Sequence, residues 1–254
     1  HVYYSITYDN PFLPATYIEN LKDTLSPKEA RRMLMGEWLE LSADVVYYNY
    51  ATAKNFKNVS YAFNYSQPID IYFDFNIAIN KPMSAGVGQY IGNVFHIAKE
   101  YIIHSARTED ILNEMESDGL LSNVRSLYRV HGDATGGHRD TRSKHSDYSI
   151  IKDFLTRRGV RFQMCVPKAN PPVRRRHNQV NATCEDANNN IKLYVYKDAK
   201  GSDEGLRLTK LKDGGNYIED DSFEHQHITT AIGYWICYRL KHSGAVRSST
   251  QRNY

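Results

Sequence analysis

Two aspartates raise the question of chemistry. Asp74 lies inside IDIYFDFNIAINKP (69–82), where Ile71, Tyr72, Phe73, Phe75, Ile77 and Ile79 are sheet-favouring types. A near-continuous apolar run predicts a strand over 69–79 that is covered on both faces. A carboxylate in such a strand is costly. A cation, a metal or a hydrogen-bond network must compensate it, or the strand end must open to solvent. Asp133 closes a second apolar run, SLYRVHGD (126–133), and opens GDATGG, whose glycines let the backbone turn sharply. Carboxylates on two neighbouring strands make an oxygen-rich site suited to Mg²⁺ or Mn²⁺. A pair of such ions about 4 Å apart activates water and stabilises the leaving oxygen in phosphodiester cleavage. The same residues also fit plainer roles: Asp74 as a turn cap, Asp133 as an Asx-turn residue.

A third element could approach the acids. EHQHITTAIGYWICYRLKH (224–242) has helical spacing, with Ile228, Ala231, Ile232, Trp235 and Ile236 as its apolar stripe. His227, Thr230 and Tyr234 fall on an adjoining face, at i, i+3 and i+7. A core or surface histidine is the simpler account of His227. Basic runs at 157–161 (RRGVR) and 173–177 (VRRRH), with Lys144, His145 and Lys168, could follow a phosphate backbone or form a solvated helix face. GVGQYIG (86–92) contains GxG without a strand-to-helix context. No GxxxxGK[ST] occurs, so no NTPase loop is expected.

The elements that must position these residues follow from pattern. Residues 1–67 read as a segment apart, with two short helices in 10–41. Ser26 would cap the second, and Pro14 and Pro27 sit near helix starts. Strands are expected at 69–79, 85–94 and 95–104 as a meander, then at 126–133, 160–166 and 191–196. Helices are expected at 108–121, 146–159, 174–187, 203–212 and 224–242. The order predicts a mixed sheet with helices on its faces. The tail SGAVRSSTQRNY is expected to be disordered.

Bulk properties restrict the classes. The chain has 254 residues, enough for one large domain or a domain with an appendage. A net charge of +3 neither demands nor excludes nucleic acid, so charge distribution decides. No stretch approaches a membrane span. Three scattered cysteines argue against a disulfide scaffold or zinc site and suit a reducing compartment. The opening HVYYSITYDN matches no signal or transit peptide and lacks Met, so a piece of a longer chain is expected.

Taken in order, these elements resemble the C-terminal nuclease domain of tailed-phage large terminase subunits, a family with the RNase H-like fold. NPFLPATYI, LMGEWLEL and VVYYNY look like the junction between that family's packaging ATPase and its nuclease. IYFDFNIAINKP resembles the first strand with its metal-binding aspartate, at Asp74. VHGDATGGHRD and SKHSDYSII resemble the second acidic strand and following helix, with Asp133 as ligand. PPVRRRHNQVNA resembles a basic helix, and HQHITTAIGYWI the closing helix. One departure is specific: the family's third aspartate falls on Thr230, a poor metal ligand, while His227 keeps the histidine place.

The resemblance implies an α/β, RNase H-like mixed sheet flanked by helices. It implies a linker-like segment at 1–67, a nuclease domain at 68–242 and a tail at 243–254. The implied activity is Mg²⁺- or Mn²⁺-dependent endonucleolytic cutting of concatemeric double-stranded DNA, with little sequence preference, by two-metal hydrolysis. Asp74 and Asp133 would hold the ions and His227 would position a water or phosphate oxygen. Lys144, Arg174, Arg175 and Arg176 would hold the DNA backbone. Asp220, Asp221 or Glu224 could replace the missing acid, or the domain could bind one metal firmly and the second only with DNA present; Asp221 and Glu224 equally fit a capping box for the last helix. Implied partners are the portal protein, a small terminase subunit and an ATPase domain, in the host bacterial cytoplasm. Two other classes stay open: a non-catalytic module for DNA binding or portal docking, and a cellular junction-resolving or repair nuclease of the same fold.

Overall fold

A computed structural model describes residues 6–36, 45–75, 81–137, 145–212 and 217–243. Lys144, Ile77, Ile79 and the tail from residue 244 lie outside the described residues. Two helices come first, α1 (Ala15–Lys22) and α2 (Pro27–Met35). Ser26 caps α2 as expected: its Oγ accepts from the Glu29 amide, and Glu29 reaches back to the Ser26 amide. A single helical turn, α3 (Thr52–Asn55), leads into β1 (Phe56–Lys57). The meander follows as β2 (Ile69–Asp74), β3 (Pro82–Ile91) and β4 (Val94–His104). Then come α4 (Thr108–Ser117), β5 (Leu127–Gly132), α5 (Asp147–Arg157), β6 (Arg161–Met164), α6 (Val173–Cys184), β7 (Leu193–Asp198), α7 (Lys200–Leu208) and α8 (Gln226–Ser243).

The described strands form one sheet in the order β1-β7-β4-β3-β2-β5-β6. β2/β3 and β3/β4 are antiparallel; β2/β5, β5/β6, β4/β7 and β1/β7 are parallel. This mixed sheet with helices on both faces is the expected RNase H-like α/β architecture. β2 is buried along its whole length, and its alternation decides what faces what. Ile69, Ile71 and Phe73 join the core under α4 and α5, with Ile111, Leu112, Ile151 and Leu155. Tyr72 points the other way, into the core shared with Ile228, Ile232 and Trp235 of α8. Asp74, two residues on, shares that α8-facing side.

GVGQYIG has a packing role. Tyr72 pairs with Gly86, and a Cβ there would overlap the Tyr72 ring. A Cβ on Gly88 would overlap the His96 carbonyl oxygen and lie 2.8 Å from Trp235. The glycines clear a floor on which Tyr72 and Trp235 stack, centroids 4.8 Å apart and planes within 7°.

Residues 45–67, inside the segment expected to be linker-like, are bound into this core. Val46, Tyr47 and Tyr50 are buried beside α8. Asn55 donates to the carbonyls of Cys184 and Leu193, each at 3.0 Å, and β1 pairs with β7. Cys165, Cys184 and Cys237 are buried and free of disulfides. No described helix is long and apolar enough to cross a membrane.

Candidate metal centre

Strand register brings the two aspartates together. β2 and β5 run parallel, with Phe73 paired to Gly132, so the next residues, Asp74 and Asp133, end the two strands side by side. Gly132 permits the close packing there: a Cβ would lie 2.8 Å from the Tyr148 hydroxyl and 2.9 Å from the Phe73 carbonyl. Asp133 also makes the expected Asx-turn, its Oδ1 accepting from the Thr135 amide at 2.6 Å. The same oxygen accepts from Asn170 Nδ2 at 2.7 Å, and Asn170 Oδ1 accepts from the Ala134 amide. Tyr148 donates to the Asp133 carbonyl at 2.7 Å. Two donors thus orient the carboxylate, and Tyr148 fixes the backbone that carries it.

Asp74 is 9% exposed. Its Oδ2 accepts from His227 Nδ1 at 3.0 Å, so α8 reaches the strand ends through the expected histidine. Burial raises the Asp74 carboxyl above the usual aspartate range. The His227 hydrogen bond and the Arg176 charge oppose that rise, whereas the Asp133 charge adds to it. The two carboxylates therefore lie near enough to feel one another's charge.

Thr230 is buried one turn beyond His227. Its hydroxyl accepts from Gln226 Nε2 at 2.8 Å and lies 3.5 Å from Arg176 Nη2. Arg176 departs from expectation. The resemblance groups it with Arg174 and Arg175 as a surface contact for DNA; those two are exposed, but Arg176 is 3% exposed. Its guanidinium pairs with Glu219 and sits 5.0 Å from the Tyr234 ring centroid. A residue sealed in this way cannot trace a phosphate chain over the surface. Glu219 also accepts from His177 Nε2 at 2.6 Å. Burial alone would raise Glu219, but His177 and Arg176 override it and hold the carboxyl down at about 2.

The other acids take no part in the pair's contacts. Asp221 is ion-paired to Lys81 and Lys212, which hold its carboxyl far below the usual range. Glu224 pairs with His104 and His225, and Asp220 accepts from the Ser222 amide. The capping box expected from Asp221 and Glu224 is therefore not what these side chains make. Among the described residues no group of three His, Cys, Asp or Glu stands ready as a full metal shell.

The donor set tests what ion would fit. Asp74 and Asp133 offer hard oxygens from adjacent strand ends, as Mg²⁺ or Mn²⁺ requires. On the Thr230 side the groups are a hydroxyl, an amide and a guanidinium, which do not suit a second ion. Glu219, Asn170 and Tyr148 are not singled out by the sequence. Only the position of Asn170 before Pro171-Pro172 hints at a turn-stabilising side chain.

No family model and no curated protein matches the sequence. Solved structures share its architecture. The large terminase of a thermophilic bacteriophage, in complex with ATP-gamma-S, superposes with a TM-score of 0.64 at 13% identity, over 91% of this chain and 54% of that one. Another crystal form of the same phage protein gives 0.65 at 12% identity, over 92% of this chain and 54% of that one. The P22 large terminase nuclease domain gives 0.56 at 11% identity, over 77% of this chain and 92% of that domain. This chain spans about half the length of the thermophilic-phage protein, and at such identities what is shared is the fold: the α/β architecture of large-terminase nuclease structures.

Proposed function

We propose that this chain is the nuclease part of a viral genome-packaging terminase, an endodeoxyribonuclease dependent on Mg²⁺ or Mn²⁺. The observation that carries the reading is the pairing of Asp74 and Asp133 at the ends of adjacent parallel strands, one of them buried against a histidine. The fold likeness to the thermophilic-phage and P22 proteins supports it. The substrate is concatemeric double-stranded DNA, cut with little sequence preference. The portal protein, a small terminase subunit and an ATPase domain are its partners, in the host bacterial cytoplasm.

Asp74 and Asp133 would hold the cation, which when bound activates water and offsets charge on the phosphate. Asn170 and the Thr135 amide fix the Asp133 carboxylate in one orientation. His227 holds Oδ2 of Asp74, so the carboxylate meets the cation from a preset direction. Exposed Arg174 and Arg175 hold the DNA backbone without reading bases. Asp221 serves as an ion-paired surface acid in this reading, not as a ligand.

The test is Mn²⁺-dependent plasmid cleavage. Asp74→Ala abolishes cutting while leaving the circular dichroism of the fold intact. An unchanged cutting rate in that variant removes Asp74 from the mechanism. One observation favours a second reading, a DNA-binding module that does not cut: Thr230 stands where a third acid is expected. Wild-type protein that binds duplex DNA with Mn²⁺ yet never nicks it would establish that reading instead.

A further inference from the structure

Arg176 is placed with unusual care for a residue of a basic run. Its side chain crosses α8 at Gly233, where a Cβ would lie 2.5 Å from Arg176 Cγ and 2.6 Å from Cδ. The guanidinium thereby lies along one turn of α8, between the Thr230 hydroxyl and the Tyr234 ring. Its Nε is buried with no hydrogen-bond partner among the described residues.

We propose that Arg176 is the built-in replacement for a second metal ion, so that the centre takes a single divalent cation at Asp74 and Asp133. This rests on the nuclease reading above. The charges support it. Asp74, Asp133 and Glu219 supply three carboxylates; one guanidinium and one divalent ion neutralise them. A second divalent ion would leave a double positive charge in a largely buried place, at a steep desolvation cost. Thr230 belongs to the same arrangement, because a carboxylate 3.5 Å from Arg176 Nη2 would be captured by the guanidinium. Arg176 acts here by occupying the place beside Thr230, held there by Glu219, as a positioning residue.

The experiment counts ions. Mn²⁺ is titrated into the full chain, with and without a short DNA duplex, and bound ions are read by electron paramagnetic resonance and calorimetry. Wild type saturates at one ion per chain. Thr230→Asp alone also takes one, because Arg176 claims the new acid. Thr230→Asp combined with Arg176→Met and Glu219→Gln takes two. If that triple variant does not fold, the first two proteins still decide: two ions in wild type, or in Thr230→Asp, overturn the inference and leave the nuclease reading standing. No ion in wild type, even with DNA, overturns both. A merely structural Arg176 would lower the melting temperature of the triple variant but leave its ion count at one, which also overturns the inference.

Discussion

Glu219 is the residue on which the Arg176 arrangement turns. It is nearly buried, and two donors share its carboxylate. Removing one partner of such a buried pair costs roughly 3 kcal/mol, so Glu219→Gln lowers the melting temperature at neutral pH. The sign with pH follows from the depressed pKa. A carboxyl at about 2 in the folded chain, against 4.5 unperturbed, contributes stability above about pH 4.5 that is lost as pH falls toward 2. The gap between wild-type and Glu219→Gln melting temperatures is therefore widest near neutrality and closes through that window. A gap that stays constant down to pH 3 would refute the account. Sequence reading separates Asp74 and Asp133 from the other acids because one interrupts an apolar run and the other closes one. It cannot pick Glu219 from the YIED run, where a bridge between Leu211 and Glu219 decides which acid turns inward. Arg176 carries a legible mark once the helix is known: it stands four residues before buried Val180 and eight before buried Cys184, on the inner face of α6.

At the scale of elements, the floor beneath Trp235 makes a sharp prediction. In Gly88→Ala the new methyl runs into the main-chain carbonyl oxygen of His96, an overlap that no rotamer change relieves. The variant should lose about 3 kcal/mol or more of stability, as overpacking of a tight core does. Urea denaturation checks this, and an unmoved midpoint would show that the β3–β4 pair adapts freely. The meander and most helices are legible because their apolar periodicity matches their burial. Gly159, the last residue of the helix expected at 146–159, has φ +66, the left-handed conformation glycine favours at a helix end. The start of α7 is not legible. It begins at Lys200 because Glu100, from β4, accepts from the amides of Gly201 and Ser202 at its first turn. A cap supplied from a hundred residues away leaves no local mark. Strand β1 escapes sequence reading for a related reason: two residues show no period.

Over the whole molecule, the amino-terminal part is stitched to the sheet at several depths. Residues 45–57 add buried tyrosines, the Asn55 bonds and β1, whereas the end of α1 and the turn before α2 touch the turn after α6 through Lys22, Asp23 and Leu25. Deleting residues 1–36 should leave a folded protein with a reduced melting temperature. Deleting 1–57 should leave one that does not fold cooperatively, because it strips the core of Tyr47 and Tyr50 and exposes β7. Cooperative melting of the shorter chain would show that the sheet is complete without β1. The order of the sheet has a mechanical corollary. Three strands lie between β1 and β2, which sets the paired carboxylates inland of the sheet's margin. A pull on the amino-terminal part would nonetheless reach α8 before it reached β1, because Val46, Tyr47 and Tyr50 are seated against that helix.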